Sequence, residues 1–320
     1  MLYQVLKPIV RLAMRLFCRH IIVNNNSVLK KKGPLLLACN HPNSFLDAII
    51  IDILFEQPVW SLARGDVFKT GFIRVILKAL KILPVYRTSE GVENLNHNYH
   101  TFKECKKIFR ENGIVSIFSE GKCINEWHLR PLKKGTARLA ISTWEEEIPL
   151  EVLPVGINYS SFRRFGKNVI INFGSIISRS DIPWTASEGI RHQFFNRRLQ
   201  EELNKLVFEV DKGDFQKKQK LLEKKPSQLS RVIFFLPGMI GWMTHAPLYV
   251  PLQKLTYKRT AHNDHYDSVL AGVLLFSYPL YLFLLTLVLW YSTASFYSYL
   301  LLLLLPLTAW CYVQIKPQLD

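Results

Sequence analysis

The chain lacks a cysteine framework. Its five cysteines are odd in number, and none stands in a Cys-x-x-Cys pair or at a zinc-binding spacing. That argues against a disulfide-stapled scaffold and a zinc ribbon, and it suits a reducing compartment. No Gly-x-Ser-x-Gly occurs, so the usual elbow of a serine hydrolase is missing. There is no internal repeat. The first residues do not read as a secretory signal, because Lys7, Arg11, Arg15 and Arg19 interrupt any apolar core. Acids are few: 25 Asp and Glu stand against 41 Lys and Arg, a formal net charge of +16. Such an excess points to a polyanion or an anionic surface. No reading helix or base-stacking motif accompanies it, and the basic residues gather beside apolar tracts. A phospholipid leaflet is therefore the expected partner, and nucleic acid is not.

Charge is also missing near the C-terminus. No residue from 268 to 315 carries a full charge. Two helices of about 20 residues and a tight turn fit that length, so the pattern predicts a transmembrane hairpin over 268–315. Lys254, Lys258, Arg259 and Lys316 flank it. The positive-inside rule then puts its ends, and the domain that precedes it, on the cytoplasmic side. The stretch 232–253 is uncharged too, but Pro237, Gly238, Gly241, Pro247 and Pro251 interrupt it. It is expected to be re-entrant or interfacial, with a true span as the alternative. Together with a basic stretch before it, it forms a linker over 212–267. At the other end, residues 1–22 read as one amphipathic helix with a basic stripe at every fourth position. Such a helix either lies among lipid headgroups or packs on the domain.

Between these flanks, residues 23–211 have the pattern of one α/β domain. Short β-rich runs at 35–39, 59–63, 82–86, 114–119, 152–158 and 169–173 alternate with helical segments at 45–55, 71–80, 95–112, 135–143 and 188–210. Alternation of this kind implies a mixed, mostly parallel sheet flanked by helices.

Four stretches carry residues suited to chemistry. In the first, Asn40-His41-Pro42-Asn43-Ser44-Phe45-Leu46-Asp47, a strand meets a turn and a helix. On a regular helix, residues six apart point about 240° from each other. His41 can therefore touch Asp47 only if Pro42-Asn43 turns the chain and Ser44 caps the helix. Asp47 would then orient the imidazole as a general base. Alternatively, Ser44 and Asp47 form only a capping box. The second stretch, Ile82-Leu83-Pro84-Val85-Tyr86-Arg87, ends in a guanidinium suited to a phosphate or to a structural acid. The third, Ile117-Phe118-Ser119-Glu120-Gly121-Lys122, presents a turn glutamate ahead of the cations Arg130, Lys133, Lys134 and Arg138. The fourth, Val152-Leu153-Pro154-Val155-Gly156, places a proline in a strand and suggests an edge, a bulge or a bend.

In this order the four stretches resemble the motif blocks of the phospholipid/glycerol acyltransferase family, which includes glycerol-3-phosphate and lysophosphatidate acyltransferases and tafazzin. The resemblance covers about 35–174. It implies that His41 and Asp47 are catalytic. It also implies that Arg87, Glu120, Gly121 and Lys122 serve the acceptor phosphate, with Asn40, Asn43, Arg130, Lys133, Lys134 and Pro154 as further contacts. Two features depart from the usual pattern. Five residues separate His41 from Asp47, where four is commonest. Lys122-Cys123 stands where Thr-Arg is usual.

The activity so implied is transfer of a fatty acyl group from acyl-CoA or acyl carrier protein to a glycerol phosphate hydroxyl. Lysophosphatidate is the first choice of acceptor, with glycerol 3-phosphate and dihydroxyacetone phosphate as alternatives. The family resemblance requires no cofactor and no metal. One rival is a hydrolase using Ser44 with His41. Another is a basic membrane-binding protein whose loops carry no chemistry.

Overall fold

Strand β2 (Leu35–Cys39) sets the frame, and all five of its residues are buried. They alternate between two apolar cores, with Leu35, Leu37 and Cys39 on one side and Leu36 and Ala38 on the other. A strand buried on both faces marks a sheet covered by helices on both sides. The computed structural model describes residues 2–86 and 95–319.

The other strands are β1 (Cys18–Val23), β3 (Val59–Arg64), β4 (Ile82–Val85), β5 (Ile114–Phe118), β6 (Glu151–Tyr159) and β7 (Lys167–Phe173). The sheet order is β1-β7-β6-β2-β5-β3-β4. Every neighbouring pair is parallel except β6 with β7. Helices α1 (Leu2–Phe17) and α2 (Ser44–Leu54) cover one face. Helices α4 (Leu95–Arg110), α5 (Lys134–Glu145) and α6 (Glu188–Leu206) cover the other, and α3 (Gly71–Ala79) joins β3 to β4. The mixed, mostly parallel architecture expected from the sequence is the one observed.

Register explains where the site must be. β2 and β5 run parallel with Cys39 opposite Phe118. His41 and Glu120 each lie two residues beyond a strand end, so they emerge side by side at the carboxyl edge of the sheet. That edge is where open α/β sheets bind ligands.

Three local expectations need correction. The first helix stops at Phe17, and Cys18–Val23 becomes a strand parallel to β7. His20-Ile21-Ile22-Val23 is rich in β-branched residues, and a free sheet edge takes it. In α1, Lys7 and Arg11 turn toward the domain. Their side chains donate to the Phe55 and Ile53 carbonyls, both at 2.9 Å, where cations complement the end of α2. Leu2, Val5, Ile9 and Leu12 are left exposed.

Of the edge, bulge or bend expected at Pro154, the edge is excluded, because β6 is interior, and a bulge is found. Alternate residues of β6 face β2, as Glu151 and Val155 do through backbone bonds with Pro34 and Asn40. Pro154 faces the other neighbour. There the pairing breaks between the Val152–Ile177 bridge and the ladder that begins at Val155 and Phe173. The missing N–H falls in that break, while the Pro154 carbonyl accepts from Gly174.

The third correction concerns 232–253. After α7 (Phe215–Leu222), helix α8 runs unbroken over Gln228–Thr260 despite Pro237, Pro247 and Pro251. Prolines are tolerated in apolar helices where neighbouring groups satisfy the freed backbone. The carbonyls the prolines leave without an i+4 donor are those of Ile233, Met243 and Pro247; elsewhere in α8, Tyr281 donates to the Thr244 carbonyl at 2.6 Å, and Thr244 Oγ1 donates to the Ile240 carbonyl. Helices α9 (Tyr266–Thr293) and α10 (Leu301–Ile315) follow. Among the described residues, three segments are long and apolar enough to cross a membrane: Gln228–Thr260, Tyr266–Thr293 and Phe296–Ile315.

Candidate active site

The site grows from the turn between β2 and α2. The N-cap of α2 is Asn43, not Ser44, and Ser44 itself adopts a left-handed conformation with φ +53°. This break in helical geometry brings residues 41 and 47 together. Asp47 is completely buried, and its Oδ2 lies 2.8 Å from His41 Nδ1. The same oxygen accepts the Asn43 N–H at 2.8 Å, and Oδ1 accepts the Tyr159 hydroxyl at 2.7 Å. Asp47 therefore closes the helix start and orients the histidine at once. The two readings of this residue are not alternatives.

A carboxylate that takes hydrogen bonds from all sides needs a proton on Nδ1, which leaves Nε2 of His41 as the basic nitrogen. The ring is 13% exposed and stacks on Phe118, with centroids 4.1 Å apart and planes 16° from parallel. Burial and the neighbouring Asp47 push the Tyr159 phenol well up, so it stays a donor. His41 opens on a cleft of about 2130 Å³. Its lining includes the apolar residues Phe45, Leu62, Val85 and Phe102 and the exposed cations Lys122, Lys133, Lys134 and Arg138.

The third stretch supports this turn from beside it. Glu120 is 3% exposed, and its carboxylate accepts the His41 N–H at 3.1 Å, the Arg130 N–H at 3.1 Å and the Arg130 guanidinium. Burial pushes its carboxyl above the usual range, against the pull of Arg130. Glu120 is thus committed to the protein and does not present an anion pocket. Arg130 is committed likewise, to Glu120, to Glu126 at 3.3 Å and to the Lys122 carbonyl. Gly121 has φ +71°, and a Cβ there would lie 3.0 Å from the Lys133 side chain, so the turn requires glycine. Beyond it, α5 begins at Lys134 without a side-chain cap, and Lys133, Lys134, Gly135 and Thr136 line the cleft. A helix start flanked by lysines suits an anion.

The remaining predicted residues are placed as follows. Asn40 continues the sheet by side chain, donating to the Ile157 carbonyl at 3.0 Å and accepting its N–H at 2.7 Å. The Asn43 side chain donates to Asp267 Oδ2 at 2.8 Å. Pro154 sits in the sheet under the site, opposite Ala38. Arg87 lies outside the described residues. Ser44 Oγ pairs with His265 Nδ1 at 2.6 Å rather than with His41, so the Ser44–His41 dyad of the hydrolase alternative is not formed. Cys123 also lines the cleft, but burial pushes its thiol up to about 12, so it is not a ready thiolate.

Sequence reasoning missed Tyr159, Phe118 as the stacking partner, and the whole contribution of residues 262–268. Tyr159 sits at the end of a β-rich run, but no local pattern says which way it points. His262, Asn263, Asp264 and His265 line the same cleft from the turn between α8 and α9. They lie more than 200 positions from the β2–α2 turn and carry no motif.

Residues 20–158 match the family model described as Acyltransferase. Among curated proteins, a 1-acyl-sn-glycerol-3-phosphate acyltransferase of Borreliella burgdorferi is 27% identical over 154 residues, covering 48% of this chain and 57% of that protein. An uncharacterized acyltransferase of Schizosaccharomyces pombe is 28% identical over 81 residues, covering 25% of this chain and 12% of that one. The chain thus spans little more than half the length of the first relative and a small part of the second. Among solved structures, the 1-acyl-sn-glycerophosphate (LPA) acyltransferase PlsC of Thermotoga maritima is similar over 63% of this chain and 80% of its own, with 16% identity and a TM-score of 0.44.

Proposed function

Since residues 20–158 belong to the acyltransferase family, we propose that this chain moves a fatty acyl group from an acyl thioester to the free hydroxyl of lysophosphatidate. The donor would be acyl-CoA or acyl carrier protein. The observation that carries the reading is the His41–Asp47 pair at 2.8 Å, with His41 lining a cleft whose walls carry both apolar side chains and cations.

His41 Nε2 takes the proton from the acceptor hydroxyl as its oxygen attacks the thioester carbonyl. Asp47 holds the Nδ1 proton and stabilises the imidazolium. The new C–O bond forms, the C–S bond breaks, and the imidazolium returns the proton to the leaving thiolate. No acyl-enzyme is needed, and the gain comes mainly from holding two substrates in line. Lys122, Lys133 and Lys134 at the cleft rim, with Arg87, are the groups proposed to hold the acceptor phosphate. The apolar wall suits the acyl chains. The apolar hairpin α9–α10 holds the cleft at the bilayer from which lipid acceptors arrive, and the cations that flank it, Lys254, Lys258, Arg259 and Lys316, favour a cytoplasmic catalytic domain.

Glycerol 3-phosphate and dihydroxyacetone phosphate offer the same phosphate and hydroxyl chemistry without an acyl chain. Purified protein supplied with labelled acyl thioester and each acceptor in turn distinguishes them. Phosphatidate as the main product supports the reading. Acyl transfer to a water-soluble acceptor alone overturns the choice of lysophosphatidate.

A further inference from the structure

We propose that His265, in the turn between α8 and α9, is a positioning residue of the catalytic turn and acts on His41 through Ser44. The inference rests on the acyltransferase reading above and adds to it a residue outside the matched segment 20–158.

The argument begins with Ser44. A regular helix through residues 41–47 would hold His41 and Asp47 apart. The left-handed backbone at Ser44, φ +53°, is where the chain departs from that geometry. A non-glycine residue keeps such a conformation only when its surroundings hold it there. Two contacts do so. The Ser44 N–H points to Cys123 Sγ at 2.9 Å, and Ser44 Oγ lies 2.6 Å from His265 Nδ1.

The rest of this turn is fastened to the start of α9 as well. Leu46 N–H, an otherwise orphaned amide of the first turn of α2, donates to Ser268 Oγ at 3.0 Å. Asn43 Nδ2 donates to Asp267 Oδ2 at 2.8 Å, and Asp267 pairs with Lys167, both of them fully buried. Two helix starts therefore meet here, and their positive ends repel. One buried aspartate in each first turn, Asp47 and Asp267, offsets that repulsion. The backbone N–H of the residue whose side chain is held in this way, Asn43, donates to Asp47 Oδ2 beside the imidazole. Of the fasteners contributed by residues 265–268, His265 is the one that also lines the cleft. It grips the residue with the unusual backbone, so its loss should misaim His41 while leaving the buried Lys167–Asp267 pair intact.

The test uses the purified full chain in lipid vesicles with acyl-CoA and lysophosphatidate. His265→Ala is expected to lower kcat by about 10- to 100-fold, the cost of a small misplacement, with the acceptor KM changed by less than about threefold. His265→Asn, whose Oδ1 takes the place of Nδ1, should recover most of the rate. Ser44→Ala should lose about as much as His265→Ala, and the double variant no more than either, because one interaction is removed only once. An unchanged kcat, a loss confined to KM, or additive losses would overturn the proposal.

Should His265→Ala fail to fold, Ser44→Ala decides by the same kcat criterion. The His41 ring is also read without substrate, from the Nδ1 proton resonance of selectively labelled protein. His265→Ala should shift that resonance, and an unshifted signal overturns the inference whether or not transfer is found. A wild-type chain that transfers to no acceptor instead sinks the acyltransferase reading.

Discussion

Tyr159 donates its hydroxyl to Asp47 Oδ1 at 2.7 Å, from a strand 112 residues away, on the opposite side of the carboxylate from His41. Asp47 is thereby gripped by a phenol, a backbone amide and an imidazole, all inside the protein. Removing the Tyr159 hydroxyl leaves the pair standing with one donor fewer. Tyr159→Phe is expected to cost about 1–2 kcal/mol in thermal unfolding and to lower kcat modestly. Asp47→Asn removes the charge that stabilises the imidazolium and disturbs the tautomer. Its kcat is expected to fall by about 10³- to 10⁴-fold, measured under acceptor saturation.

Glu120 is a brace, which gives a second expectation. Its carboxylate ties the His41 amide to Arg130. Glu120→Ala leaves a guanidinium without its buried partner, at a cost of about 3 kcal/mol. Part of the loss is recovered by solvent, because Arg130 retains 17% exposure. Activity should fall with stability. Equilibrium unfolding in detergent micelles checks the first, and initial rates below the melting point check the second.

The cleft cations address acceptor recognition. Lys133 and Lys134 stand at the open start of α5 and are exposed. Exchanging both for glutamine should raise the acceptor KM by about 3- to 10-fold, the scale of about 1 kcal/mol for exposed charge pairing, with kcat little changed. The effect should shrink as ionic strength rises. A kcat loss at constant KM would place the lysines elsewhere in the mechanism.

Alkaline stability depends on Lys316, just beyond α10. Burial, with Arg164 and Lys167 close by, lowers its ammonium from 10.5 to about 8. Between those two values the unfolded chain holds a proton that the folded chain has released. Stability should therefore rise with pH across this window and level off below it. Lys316→Met should remove the slope, as measured by chemical unfolding from pH 7 to pH 10.5.

Much of the domain was legible because buried parallel strands announce themselves. The run Leu35-Leu36-Leu37-Ala38-Cys39 fills two cores at once, and β2 occupies the residues expected from its pattern. The His41–Asp47 contact was also legible, because a six-residue gap demands a turn and Pro42-Asn43 supplies one. What stayed hidden was settled by distant partners. β1 exists because β7 offers it an edge, although its residues continue a helical pattern. Pro154 tolerates the sheet interior because the pairing breaks beside it. Ser44 is bent by contacts with Cys123 and His265, and neither lies within its own local pattern. Helix α8 runs through three prolines that its local pattern marks as breakers.

The central claim is that Nε2 of His41 is the base for acyl transfer, and one exchange tests it directly. Labelled acyl-CoA and lysophosphatidate are given to wild-type and His41→Ala protein in the same vesicles, and phosphatidate is measured by mass. The account predicts product from the wild type and a fall of at least about 10²-fold in His41→Ala, with unfolding temperature nearly unchanged. Equal rates from the two proteins would contradict it.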